Sequence, residues 1–199
     1  MLDSYLRGYI DPLLKKIAAF FKDLPITANH FTCGGFFIGM VACFLAALQL
    51  YGWALLCLIL NRLCDGLDGA IARAKDQTSD FGGYLDITLD FFIYAGFPLC
   101  IAIGLGTIEA AYAAAFLLFC IITTSTSFLA YAIIAAKNNI HTEHQGKKSF
   151  YFSNGLMEGT ETIIFMCLIC VLPQYFVILC CVFGVLCLIT TAIRIYMAS

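Results

Sequence analysis

The sequence predicts an all-α, polytopic membrane protein, with six transmembrane helices preceded by an amphipathic helix lying in the membrane interface. Three observations predict it. The 199 residues are 62% hydrophobic and only 12% charged, whereas a soluble domain carries about 25% charged residues; there are too few polar groups to cover a surface in water. The apolar residues are gathered into runs near the ~20 residues that cross a bilayer as a helix. Lysine and arginine fall on alternate connections between those runs, as the positive-inside rule requires.

The expected spans run from Asn29 to Leu50, Trp53 to Arg73, Gly82 to Gly104, Ile108 to Lys137, Gly155 to Leu172 and Gln174 to Tyr196. The fourth is long enough to project beyond the bilayer. Before them, Leu6, Ile10, Leu13, Leu14, Ile17, Phe20 and Phe21 recur at helical spacing, with Asp3, Arg7, Lys15, Lys16 and Lys22 between them. That pattern suits an interfacial helix over 1–23 rather than a cleaved signal. Residues 29–196 form the six-helix membrane part of a single domain, 1–199. Pro25 precedes the first span, where it interrupts no helix, and Thr27 or Asn29 can cap it. Gly104 and Gly106 end the third span, and Pro173 separates the last two. The basic connections lie around Arg73 and Lys75 and at Lys137, Lys147 and Lys148, while those near Tyr51, Thr107 and Pro173 have no basic residue. With six spans, all basic segments and both termini share the cytoplasmic side.

A net charge of −2 provides no basic field for nucleic acid. Most of the eleven cysteines lie inside apolar runs without a CxxC…CxxC array, as expected of small buried hydrophobes that stay reduced.

The chemistry is concentrated between Asn61 and Asp90. Asp65, Asp68, Asp86 and Asp90 lie within apolar helices, where an ionised carboxylate costs at least about 2.5–3.5 kcal/mol on insertion scales. At about 100° per residue, Asp65, Asp68, Gly69 and Ala72 form one stripe, and Gly82, Asp86 and Asp90 form another. The short connection makes the two helices an antiparallel hairpin whose stripes can face each other. Arg62 and Arg73 could act as structural counter-ions, but two arginines do not neutralise four aspartates. Convergent carboxylates ask for cations, and oxygen ligands favour Mg²⁺, Mn²⁺ or Ca²⁺ over zinc. Two metals about 3.5–4 Å apart would suit phosphoryl chemistry. Gly69, Ala72 and Gly82 leave room for a ligand or a helix backbone, and Arg73 is placed for a phosphate. A non-enzymatic divalent-ion transporter is the alternative, although an ion path has no need of Gly69-x-x-Ala72-Arg73.

The run Asp65-x-x-Asp68-Gly69-x-x-Ala72-Arg73, eight residues, then Gly82-x-x-x-Asp86-x-x-x-Asp90 resembles the signature of the CDP-alcohol phosphatidyltransferases at all its fixed positions. Thr27-Ala28-Asn29-His30-Phe31-Thr32 resembles the segment that opens the family's first span. The resemblance implies that Asp65, Asp68, Asp86 and Asp90 hold two Mg²⁺ or Mn²⁺ ions, with Asp90 also the general base. It implies that Asn29, Thr32, Gly69, Ala72, Arg73 and Ser79 contact the CDP-lipid. It implies transfer of a phosphatidyl group from CDP-diacylglycerol to an alcohol with release of CMP, by a homodimer in a bacterial inner membrane whose active site faces the cytoplasm. A phosphatidylglycerophosphate-type product is favoured. The reverse arrangement, a CDP-linked small alcohol donated to diacylglycerol, is the alternative within the family.

For the acceptor, Lys147, Lys148, Glu158 and Arg194 are the candidates. The two lysines and Arg194 could cradle a phosphorylated alcohol, or serve as membrane anchors and a snorkelling side chain. Glu158 and Glu161 open the fifth span beside small and hydroxylated residues, and could bind a polyol or amine or pair with the basic residues. His141 and His144 read as solvated loop residues.

Overall fold

The computed structural model describes residues 12–21, 24–137 and 157–198. The described residues contain helices and turns and no strand. Residues 12–20 are helical and are labelled α1. The bundle follows as α2 (Ala28–Ala47), α3 (Tyr51–Ala74), α4 (Asp80–Leu105), α5 (Ile108–Lys137), α6 (Gly159–Val171) and, after a 3₁₀ turn over Pro173–Tyr175, α7 (Phe176–Ala198).

All six expected runs are helical. Four of the helices, α2, α4, α5 and the unit from Pro173 to Met197, are long and apolar enough to cross a membrane. α3 has the length, 24 residues, but carries Asn61, Arg62, Asp65, Asp68 and Arg73. α6 is shorter than its sequence suggests, at 13 residues, or about 20 Å against a hydrocarbon core of about 30 Å. Its start moves from the expected Gly155 to Gly159 because Glu158 is the N-cap. The Glu158 backbone N–H donates to Glu161 Oε2 at 3.2 Å, closing a capping box.

The helix ends have local causes. The Thr27 N–H donates to His30 Nδ1 at 3.2 Å at the start of α2. Ser79 caps α4, its Oγ accepting from the Gly82 N–H at 3.0 Å. Gly106 ends α4 in the left-handed conformation, φ 65°, which glycine adopts without steric cost.

α2 packs against α3 and α4, α5 against α4 and α7, and α6 against α3 and α4. Leu58, Ile93, Phe97, Ile101, Leu117, Met166, Ile169 and Phe176 fill the centre, and Phe165 stacks on Phe183 at 4.3 Å. A smaller cluster joins Leu14 and Ala18 of α1 to Ala28, Ala70 and Ile71. It places α1 under the motif half of α3, while Leu13, Ile17 and Phe20 remain exposed. Lys75 fixes the same end of α3, its Nζ donating to the carbonyls of Leu24 at 2.6 Å and Ile26 at 2.7 Å.

At the opposite end, α4 meets α2 backbone to backbone. A Cβ on Gly104 would lie 2.7 Å from the Ala47 carbonyl oxygen, closer than a carbon can stand, and Gln49 donates its side-chain amide to the Gly104 carbonyl. Gly104→Ala therefore forces the two helices apart. Overpacking of this kind costs about 1–3 kcal/mol, so the variant should melt several degrees lower in detergent. An unchanged melting temperature would show that the contact is not tight.

Candidate metal and phosphoryl-transfer site

The two stripes face each other across the α3–α4 hairpin. One carboxylate oxygen each from Asp65, Asp68 and Asp86 lie within 4.8 Å of one another. Asp68 is the buried member, and the Thr32 hydroxyl of α2 donates to its Oδ2 at 2.6 Å. Three helices thus build the triad: α3 supplies two carboxylates, α4 one, and α2 the hydroxyl that orients one of them. Oxygen donors only, converging on one point, fit a hard divalent cation.

Asp90 stands one turn beyond Asp86 and is engaged differently. Its Oδ1 accepts from Arg62 Nη2 at 2.7 Å, and its Oδ2 accepts from the Tyr94 hydroxyl at 3.1 Å. Arg62 Nη1 also donates to the Tyr94 hydroxyl at 3.1 Å and lies 3.7 Å from Asp65 Oδ2. The guanidinium is anchored in turn. Its Nε donates to Asn61 Oδ1 at 2.8 Å, and Asn61 Nδ2 donates to the Gly35 carbonyl of α2 at 2.8 Å. Sequence reasoning treated Arg62 only as a counter-ion and missed Asn61 and Tyr94. The signal for Tyr94 was present, since it continues the four-residue spacing of Gly82, Asp86 and Asp90.

The other motif residues gather nearby. The Arg73 guanidinium folds over Gly69, where a Cβ would lie 3.3 Å from Nη1. Asn29 and Ser79 meet at Gly82, where a Cβ would lie 3.2 Å from Ser79 Oγ and 3.5 Å from Asn29 Oδ1. Ala72 is half-buried against the cluster that holds α1.

The triad, Thr32, Arg62 and Asp90 line one small pocket, and a second cavity of about 160 Å³ adjoins it. Asp90 lines both. Phe91, Tyr94, Phe128 and Phe183 form much of its wall, and Thr124, Ser125, Glu158 and Arg194 supply polar groups. Arg194 does not snorkel. It is only 4% exposed, its Nη1 donates to the Thr124 carbonyl at 2.9 Å, and its guanidinium sits 5.5 Å from the Phe128 ring centre. Its Nε and the Ser125 Oγ are buried without a hydrogen-bond partner among the described residues, an arrangement that is costly unless a ligand or water completes it. The structure therefore brings Glu158 and Arg194 to one cavity beside Asp90. Lys147, Lys148, His141 and His144 lie outside the described residues.

The Thr32–Asp68 bond gives a direct test. Changing a residue that orients a metal ligand typically lowers affinity by about 10–100-fold. Thr32→Val should weaken Mn²⁺ binding, measured by calorimetry, by about tenfold, and Thr32→Ser should restore it. Equal affinity in Thr32→Val would show that the hydroxyl does not orient the triad.

A family model for CDP-alcohol phosphatidyltransferase matches residues 25–196. The inner membrane protein YnjF of Escherichia coli K12 is 43% identical over 196 residues, 98% of this chain and 94% of that protein. The archaetidylinositol phosphate synthase of Pyrococcus horikoshii is 37% identical over 101 residues, 51% of this chain and 54% of its own length. The crystal structure of Mycobacterium tuberculosis phosphatidylinositol phosphate synthase (PgsA1) with CDP-DAG bound shares the fold, with a TM-score of 0.69 at 18% identity over 94% of each chain. The chain is a membrane protein and a transferase, and it belongs to the CDP-alcohol phosphatidyltransferase family.

Proposed function

We propose that this enzyme transfers a phosphatidyl group from CDP-diacylglycerol to an alcohol and releases CMP. The observation that carries the reading is the place of Asp90, on the wall shared by the carboxylate triad and the second cavity. A group that takes a proton from an acceptor must touch the acceptor's chamber and stand beside the phosphoryl centre. The CDP-DAG-bound neighbour of similar fold and the archaetidylinositol phosphate synthases among the similar proteins support the same chemistry.

In this reading Asp65, Asp68 and Asp86 hold two Mg²⁺ or Mn²⁺ ions, with Asp90 at the edge of the site. The ions supply charge stabilisation on the diphosphate. Arg73, over Gly69, and the group of Asn29, Thr32, Ala72 and Ser79 bind the CDP-lipid. Asp90 accepts the proton of the acceptor hydroxyl. Its two hydrogen bonds to Arg62 and Tyr94 leave room, because a carboxylate offers roughly four lone-pair sites. The acceptor oxygen then bonds to the lipid-side phosphorus, the bond from that phosphorus to the bridging oxygen breaks, and the electron pair leaves with CMP. Glu158 and Arg194, together with Lys147 and Lys148, bind the acceptor. A phosphorylated alcohol, glycerol 3-phosphate first, is the favoured acceptor.

For topology we propose six spans, with the charged stripe of α3 kept inside the bundle and α1 in the cytoplasmic interface. The basic residues Lys15, Lys16, Arg73, Lys75 and Lys137 then share the cytoplasmic side with the site. The protein works as a homodimer in a bacterial inner membrane, and native mass spectrometry should find two copies.

The test is CMP release by purified protein given CDP-diacylglycerol and a panel containing glycerol 3-phosphate, an inositol phosphate, serine and their unphosphorylated alcohols. Release should need Mg²⁺ or Mn²⁺ and stop in EDTA. Full activity in EDTA would end the metal reading, and release only from a CDP-linked small alcohol with diacylglycerol would reverse donor and acceptor. General-base catalysis typically contributes about 10²–10⁴-fold, so Asp90→Asn should lower turnover by about that factor with less effect on nucleotide affinity. Wild-type turnover in Asp90→Asn would remove Asp90 from the mechanism.

A further inference from the structure

We propose that Arg62 is a positioning residue for Asp90: its guanidinium takes the place of a cation beside the fourth carboxylate, holds it off the triad and turns it to the second cavity. The proposal rests on the reading above, in which the triad holds the ions and Asp90 receives the acceptor's proton.

The motif alone presents its four aspartates as equivalent. The structure separates them. Three bring oxygens within 4.8 Å of one another, while both oxygens of Asp90 are taken by donors, Arg62 Nη2 at 2.7 Å and the Tyr94 hydroxyl at 3.1 Å. Arg62 is itself held in place. Its side chain is 11% exposed, and Asn61, 2% exposed, links its Nε to the Gly35 carbonyl through two bonds of 2.8 Å. A chain of side chains therefore runs from the α2 backbone through Asn61 and Arg62 on α3 to Asp90 on α4. Only a planar fork of donors can serve Asn61, Tyr94 and Asp90 together. The arrangement leaves Asp90 with a cationic partner when the ions are away, so its carboxylate is not left unpaired. It also sets a conflict. Arg62 Nη1 lies 3.7 Å from Asp65 Oδ2, so its charge opposes a divalent ion at the triad.

That conflict separates positioning from mere support. If Arg62 only holds the bundle together, its removal weakens ion binding and turnover alike. If it positions Asp90, removal frees Asp90 to swing to the triad and deletes a repelling charge, so ion affinity rises while turnover falls.

The experiment is Mn²⁺ binding to detergent-purified protein, read from the free-ion electron paramagnetic resonance signal, alongside kcat and KM for CMP release from CDP-diacylglycerol. Arg62→Gln should bind Mn²⁺ at least about fivefold more tightly. Its kcat should fall about 100-fold, the loss typical of a reacting group displaced by about 1 Å, with KM for the CDP-lipid within about threefold. Arg62→Lys keeps the charge without the fork, so its Mn²⁺ affinity should stay within about threefold of wild type and its kcat should be intermediate. Tyr94→Phe removes the Oδ2 donor alone and should lower kcat about tenfold at unchanged Mn²⁺ affinity. Equal or weaker Mn²⁺ binding in Arg62→Gln, or a kcat near wild type, overturns the proposal. Should Arg62→Gln fail to fold, wild-type kcat in both Arg62→Lys and Tyr94→Phe overturns it instead, and the reductions stated above support it. Asp90→Asn run in parallel keeps the two readings apart. Wild-type turnover there removes the base reading, while Mn²⁺ affinity of the double variant Arg62→Gln/Asp90→Asn decides whether Arg62 holds Asp90 off the triad: a rise clearly smaller than in Arg62→Gln alone supports it, and an undiminished rise reports only the lost charge beside Asp65 and overturns it.

Discussion

Asp65, Asp68, Asp86 and Asp90 stand on apolar helices with one buried and three only partly exposed, and the surrounding architecture answers that single electrostatic demand. Bare carboxylates in a bilayer interior are strongly unfavourable, so each must meet a donor or a cation. Asp68 receives a hydroxyl from α2, Asp90 receives a guanidinium from α3 and a phenol from α4, and the triad presents a gathered set of oxygens suited to a divalent ion. The Thr32 and Arg62 bonds run between helices, so the same bonds that satisfy the charges also tie α2 to α3 and α3 to α4, while the Tyr94 bond lies within α4.

Close crossing is what makes those bonds short, and it depends on residues without bulk. Gly35 faces Cys64, Gly39 faces Ile93 and Asn61, and Gly104 faces the backbone of Ala46 and Ala47. Small residues at helix contacts take the place of the hydrophobic driving force that lipid cannot supply. In α2, Gly35 has two roles, since it admits α3 and its carbonyl receives Asn61. The far half of the bundle is packed more like an ordinary core, with Phe165 on Phe183 and Leu117 and Ile169 fully buried. It contributes its polar groups only where it borders Asp90, through Arg194, Thr124, Ser125 and Glu158.

The helices and the triad were legible because both follow from periodicity. Apolar run lengths located all six helical runs, and the three- and four-residue spacing of the aspartates put them on facing stripes. The departure of Asp90 was not legible, because whether Arg62 reaches Asp65 or Asp90 depends on the crossing of α3 and α4, which spacing along one helix does not set. The shortening of α6 was hidden because Glu158 and Glu161 read as pocket residues, whereas they also close a capping box. The second cavity was hidden too. The run Thr123-Thr124-Ser125-Thr126-Ser127 reads as a tolerable stretch of span, since such hydroxyls bond to carbonyls of their own helix, as Thr123 does to Phe119 at 2.8 Å. Only the fold shows that Ser125 and Arg194 end with buried polar atoms facing one space.

If the carboxylates of α3 and α4 exist to share divalent ions, those ions must staple the two helices, and ligand bound only by the folded state stabilises it by RT ln(1 + [L]/Kd), about 2.7 kcal/mol at a hundredfold excess over Kd. The decisive measurement is the melting temperature of detergent-purified protein across a Mg²⁺ and Mn²⁺ titration, wild type beside Asp86→Asn. The account predicts a saturable rise of several degrees in the wild type, reversed by EDTA and largely lost in Asp86→Asn, the one triad carboxylate contributed by α4. A wild-type melting temperature that does not respond to either ion, or a rise that persists undiminished in Asp86→Asn, would contradict it.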